Sequence, residues 1–106
     1  ILTKDAKTVL FTLYKKYVNR KKSGTSKLKA KNFDSANSIQ EIFFKNVLED
    51  VEDSLRELER NDFLNNFYAD NTIYFCSLSD SAIALMESQT KETLLNIADF
   101  IAKFIP

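Results

Sequence analysis

The sequence has no His and no Trp, and only one each of Cys, Gly, Pro and Met. Without His, neither a Ser-His-Asp nor a Cys-His nucleophile system can be assembled. No Gly-rich phosphate loop is present either, so an enzyme is not expected. A lone Cys forbids a disulfide within the chain and, with no His beside it, leaves too few ligands for a structural zinc. No metal or other cofactor is expected. Cys76 lies in an apolar strand pattern and reads as a buried packing residue, not a reactive thiol; a cytoplasmic location fits. No apolar run approaches the roughly 18 residues of a membrane span, and the opening "ILTKDAK" lacks the apolar stretch of a secretory signal. It also lacks a Met, which reads as a trimmed chain or a fragment. One Gly and one Pro are too few for a turn-rich fold and favour long helices.

Apolar side chains are plentiful. They make up 44% of 106 residues, with nine Phe and four Tyr, enough for one core and one domain spanning 1–106. The formal net charge of zero conceals a division. Residues 1–32 hold ten Lys or Arg against one Asp, and residues 33–106 hold five against fourteen acidic residues.

Periodicity predicts the elements. Thr3 caps a first helix running to about Arg20, with Ala6, Val9, Leu10, Leu13, Tyr14 and Tyr17 on one face. The polar, basic "NRKKSGTSKLKAKN" reads as a flexible loop with a short extended segment around Leu28 to Phe33. Ser38 and Glu41 have capping-box spacing for a second helix that ends near Lys45, although Asp34 or Ser35 offers an earlier start. Asn46 and Glu49 repeat the pattern for a third helix, from about Val47 to Arg60, packed through Leu48, Val51, Leu55 and Leu58. Aromatic and β-branched residues then flank "ADN", predicting a hairpin of about Leu64 to Tyr68 and Thr72 to Leu78. Ser79 and Asp80 open a fourth helix with Ala82, Ile83, Leu85 and Met86 inward. Thr90 opens a fifth, whose many apolar residues across 91–105 suggest a homodimer seam. The expected fold is mainly α with a small β-hairpin, about five helices plus a two-stranded wing.

Two segments carry a family resemblance, "DVEDSLRELERNDFL" and, after the hairpin, "LSDSAIALME". They resemble the third helix and the post-wing helix of bacterial MarR-type and PadR-type winged helix-turn-helix regulators and their small, bacterial or phage relatives. Leu55, Leu58, Glu59, Phe63 and Leu64 fit the first segment, and Leu78, Ser79 and Leu85 the second. Asn61 and Asp62 stand where the family places a Gly, and Ser81 or Ala82 near a second Gly; Asn and Asp tolerate the left-handed conformation that a helix stop requires. The resemblance implies a winged helix-turn-helix fold and a transcription-regulatory DNA-binding protein, dimeric through 91–105 as in PadR-type relatives.

The third helix departs from that family in charge. It carries Glu49, Asp50, Glu52, Asp53, Glu57, Glu59 and Asp62 against Arg56 and Arg60. Each carboxylate near a phosphate is repelled by about 1 kcal/mol even in bulk water, so docking of this helix in the major groove is disfavoured. Contact with double-stranded DNA is therefore expected from Lys15, Lys16, Arg20, Lys21, Lys22, Lys27, Lys29 and Lys31, with the wing tip at Asn65, Asn66 and Asn71. Lysine is a point charge and not a bidentate reader of guanine; such binding would be non-specific and salt-sensitive. The alternative is a protein-interaction module that offers Asp50, Asp53, Glu57 and Glu59 to a basic partner, or a partial DNA mimic.

Overall fold

A computed structural model describes residues 2–42 and 47–89, apart from the side chain of Ile42. The expected helix over 91–105 with its opening Thr90, the expected end of the second helix near Lys45 and the Asn46 cap lie outside the described residues. The order is α1 (Lys4–Lys22), α2 (Lys27–Ala30), β1 (Asn32–Phe33), α3 (Ala36–Ile42), α4 (Leu48–Arg60), β2 (Leu64–Ala69), β3 (Thr72–Leu78) and α5 (Asp80–Glu87). The described chain is thus mainly helical with one small antiparallel sheet.

Thr3 caps α1 as its position predicts, its hydroxyl accepting from the Ala6 amide at 3.2 Å. Ala6, Val9, Leu10, Leu13 and Tyr17 are buried along one stripe. Thr8 and Thr12 hide their hydroxyls by donating to the carbonyls of Lys4 and Thr8 at 2.9 and 2.8 Å. The helix outruns the predicted Arg20 by two residues and stops before Gly24, whose φ of 91° suits a residue without Cβ.

The basic segment is not a loop. Ser26 accepts from the Lys29 amide at 3.3 Å and caps the short α2, so only Asn32–Phe33 of the expected extended stretch is a strand. That strand overturns the two-stranded wing: the sheet has three antiparallel strands in the order β1-β3-β2, with Asn32 opposite Ser77 and Phe33 opposite Cys76. Two residues are too short to show a period; the Leu78 amide donates to the Lys31 carbonyl at 2.8 Å beside the pair, and Phe33 is buried.

Helix α3 starts earlier than the Ser38–Glu41 spacing implies. Ser35 accepts from the Ser38 amide at 3.3 Å, which puts Ser38 inside the helix and leaves the Ser38 box unformed. The earlier start buries both Ala36 and Ile39. In α4, Val51, Leu55 and Leu58 are buried, together with Ser54. Its end is locked by side chain and backbone: the Asn61 amide donates to the Glu57 carbonyl at 2.9 Å, and Asp62 takes a φ of 63°. Across the hairpin, Ala69 faces Thr72, and the two loop residues Asp70 and Asn71 both have positive φ, 53° and 62°. This is the primed turn that matches strand twist. A bulge interrupts the pairing between Phe67 and Tyr68.

Ser79 caps α5 by accepting from the Ala82 amide at 3.0 Å and donates its own proton to the Asp62 carbonyl at 2.6 Å. One hydroxyl therefore joins the start of α5 to the end of α4. Ala82, Ile83 and Met86 face inward, but Leu85, expected with them, lies about 100° round the helix and is 39% exposed. The core gathers α1, α3, α4, α5 and one face of the sheet. Each fully buried Leu or Ile there contributes roughly 1.5–3 kcal/mol relative to exposure.

Candidate functional site

The eight basic residues of the predicted site divide into those with internal roles and those turned outward. Arg20 is internal. Its Nη1 donates to the carbonyls of Asn32 at 2.7 Å and Ala30 at 3.3 Å, and its guanidinium lies 4.5 Å from the centroid of the Phe33 ring. The planar cation, half-buried, therefore bolts the end of α1 to α2 and β1. Lys27 and Lys31 are also engaged: their ammonium groups lie 3.5 and 3.6 Å from the same carboxylate oxygen of Asp80. Those two charges hold the Asp80 carboxyl below its ordinary range, Lys27 more than Lys31.

Lys15, Lys21, Lys22 and Lys29 are exposed, and Lys16 is half-buried. Lys15 and Lys16 diverge because neighbours on a helix point about 100° apart. Lys15 shares its face with Lys22 and with two lysines absent from the predicted site, Lys4 and Lys7, all exposed. From Lys4 to Lys22 is five helical turns, so the four ammonium groups form a stripe about 27 Å long. Phe11 and Val18 lie between them, half-buried against the core. None of the four pairs with a carboxylate among the described residues. The signal was in the sequence: spacings of 3, 8 and 7 residues keep one helical phase. Charge density alone singles out residues 15–31, whereas helical phase brings in Lys4 and Lys7.

The acidic residues of α4 divide in the same way. Asp50 and Asp53, with Glu49, are exposed near its start. Glu57 has partners although solvent reaches it: it accepts from the Thr3 amide and the Thr3 hydroxyl, both at 2.8 Å. This completes a capping box in which the carboxylate comes from another helix, 54 residues away. The backbone bond from Thr3 is the main reason the Glu57 carboxyl titrates below its ordinary value. Glu59 accepts from the Tyr68 hydroxyl at 2.6 Å and the Asn66 amide at 3.3 Å. Glu57 and Glu59 thus have partners within the fold, which leaves Asp50 and Asp53 of the predicted acidic surface turned outward, with Glu49, absent from that prediction, exposed beside them.

The β2–β3 hairpin is fastened to α4. Arg56 donates to the Asn71 carbonyl at 3.0 Å, lies over the Tyr68 ring at 5.9 Å and pairs with Glu52 at 3.4 Å. Asn66, expected at the wing tip, is instead buried, its side chain donating to the Leu55 carbonyl at 3.0 Å. Asn65 and Asn71 are exposed. Phe67 and Tyr74 also expose large aromatic surfaces on the hairpin, 47% and 56%. Cys76 is fully buried as expected, and burial pushes its thiol pKa up to about 12, with a smaller push from Asp34.

No helix among the described residues is long and apolar enough to cross a membrane. No protein-family model matches the chain, and no curated protein or solved structure matches it.

Proposed function

We propose that the chain is a small winged-helix protein that binds double-stranded DNA in a regulatory role, through backbone phosphates contacted from α1. The order of two helices, a strand, two helices, a hairpin and a closing helix supports the winged-helix reading, with the short β1 lying along one edge of the hairpin. A single observation carries the DNA reading: Lys4, Lys7, Lys15 and Lys22 form one exposed stripe with no internal carboxylate partner among the described residues. The outward start of α4, with Glu49, Asp50 and Asp53, repels phosphate, so this protein presents α1 in place of the helix that the family inserts into the groove.

Four phosphate contacts release counterions and give a slope of log K against log salt of about −3.6. Raising salt from 50 to 200 mM then weakens binding on the order of 10²-fold. The test is fluorescence anisotropy with a labelled random-sequence duplex over that range. Changing the four stripe lysines to Gln should remove most of the slope while far-UV circular dichroism stays unchanged. Absence of binding at 50 mM salt, or a slope indifferent to the four substitutions, would overturn the assignment.

A second reading rests on the exposed carboxylates Glu49, Asp50 and Asp53 beside Val47, which is 61% exposed. They suit a basic protein partner. Its test is charge reversal at Asp50 and Asp53, because reversal at Glu57 or Glu59 would disturb the fold.

A further inference from the structure

Lys27 and Lys31 have the spacing i, i+4 along α2 and its C-cap, so both side chains leave the same flank. They converge on one oxygen, Asp80 Oδ1, at 3.5 and 3.6 Å. Two cations closing on a single anionic oxygen is the arrangement a phosphate oxygen would receive. The contact is loose, longer than the 2.7–2.9 Å of a tight charge-assisted hydrogen bond. Solvent reaches it: the Asp80 side chain is 73% exposed and that of Lys27 55%, while Lys31 at 23% is the more firmly placed. Asp80 in turn belongs where it is, in the first turn of α5, where a negative charge complements the helix dipole. Exposed ion pairs contribute little to stability, so this one is poorly explained as a staple.

We propose that Lys27 and Lys31 form a second phosphate-binding site on the protein, masked by the Asp80 carboxylate acting as an intramolecular substitute for a nucleic-acid phosphate. This rests on the DNA-binding reading of the α1 stripe and extends it. While Asp80 holds the pair, the two lysines add little to counterion release, because a carboxylate freed by an incoming phosphate recaptures cations and faces the phosphate as a like charge. The mask keeps non-specific affinity below what the lysine content would give. A backbone that reached α2 would compete directly with Asp80.

The experiment is salt-dependent binding of the labelled duplex to four proteins: wild type, Asp80→Asn, Asp80→Asn with Lys27→Gln and Lys31→Gln, and Asp70→Asn. The last makes the same charge change at the hairpin tip, where Asn tolerates the positive φ. With Asp80→Asn the slope should steepen by up to about 1.8, roughly 0.9 for each unmasked lysine. The Lys27→Gln and Lys31→Gln changes in that background should return it to the wild-type value, and Asp70→Asn should leave it there. If wild type binds with the expected salt dependence but Asp80→Asn behaves like Asp70→Asn, masking is refuted and the α1 reading stands. If wild type shows no salt-dependent binding, the α1 reading itself falls. Asp80→Ser, which retains a good residue for a helix start, repeats the test should Asp80→Asn fold poorly.

Discussion

Replacing Arg20 separates a structural cation from a ligand-binding one. The guanidinium makes a 2.7 Å hydrogen bond to Asn32, a longer one of 3.3 Å to Ala30, and a stacking contact on Phe33 at 4.5 Å. A hydrogen bond from a charged donor contributes about 1.5–3 kcal/mol, the long one much less. Stacking on the ring adds about 0.5–1 kcal/mol at a partly exposed position. Lysine keeps the charge and can make one of the hydrogen bonds, but it has neither the fork nor the plane. Arg20→Lys should therefore cost about 2 kcal/mol. With a urea dependence of about 2 kcal/mol per molar for a domain of this size, the unfolding midpoint falls by about 1 M. Arg20→Gln should cost at least as much, yet leave the salt slope of the proposed duplex binding unchanged, because the guanidinium is turned to the carbonyls of Ala30 and Asn32. The assay is urea unfolding followed by circular dichroism at 222 nm, paired with duplex binding at several salt concentrations. The reasoning fails if both variants unfold within about 0.3 M of wild type. It fails equally if Arg20→Gln flattens the salt slope by about 0.9.

Two further outcomes follow from the backbone and the core. Asp62 holds a φ of 63° at the end of α4, and its contact with Ser79 runs through its backbone carbonyl; Asp62→Gly should therefore stabilise by about 0.5 kcal/mol and Asp62→Val should destabilise, both read by thermal melting. The Cys76 thiol ionises near 9 in the unfolded chain but near 12 when buried. Above pH 9 the unfolded state therefore holds fewer protons than the folded one, and the Cys76 contribution to stability is lost as pH rises from 9 toward 12. Comparing wild type with Cys76→Ala over that range isolates the effect, and the native thiol should resist a maleimide that labels it once the chain is unfolded.

Whatever depends on residues a few positions apart was decided by the sequence itself. The Thr3 cap, the buried stripe of α1, the Val51–Leu55–Leu58 face of α4, the hairpin about "ADN" (with Ala69 joining β2 and only Asp70 and Asn71 left in the turn) and the Ser79 cap all follow from local sequence. The uneven charge between residues 1–32 and 33–106 was likewise legible in the sequence alone. The choice between Ser35 and Ser38 as a helix start was not, because both offer a hydroxyl three residues ahead of an amide. Burial of Ala36 and Ile39 decided between them. The roles of individual charges were likewise beyond local reading. Arg20 and Lys22 belong to one basic run, yet one is bonded under Phe33 and the other faces solvent. Glu57 and Asp53 belong to one acidic helix, yet only Glu57 meets the amide of Thr3, 54 residues away. A charge has the same pattern in sequence whether it is solvated or paired; only the packing of α1 against α4, and of α2 beside α5, determines which partner stands within reach.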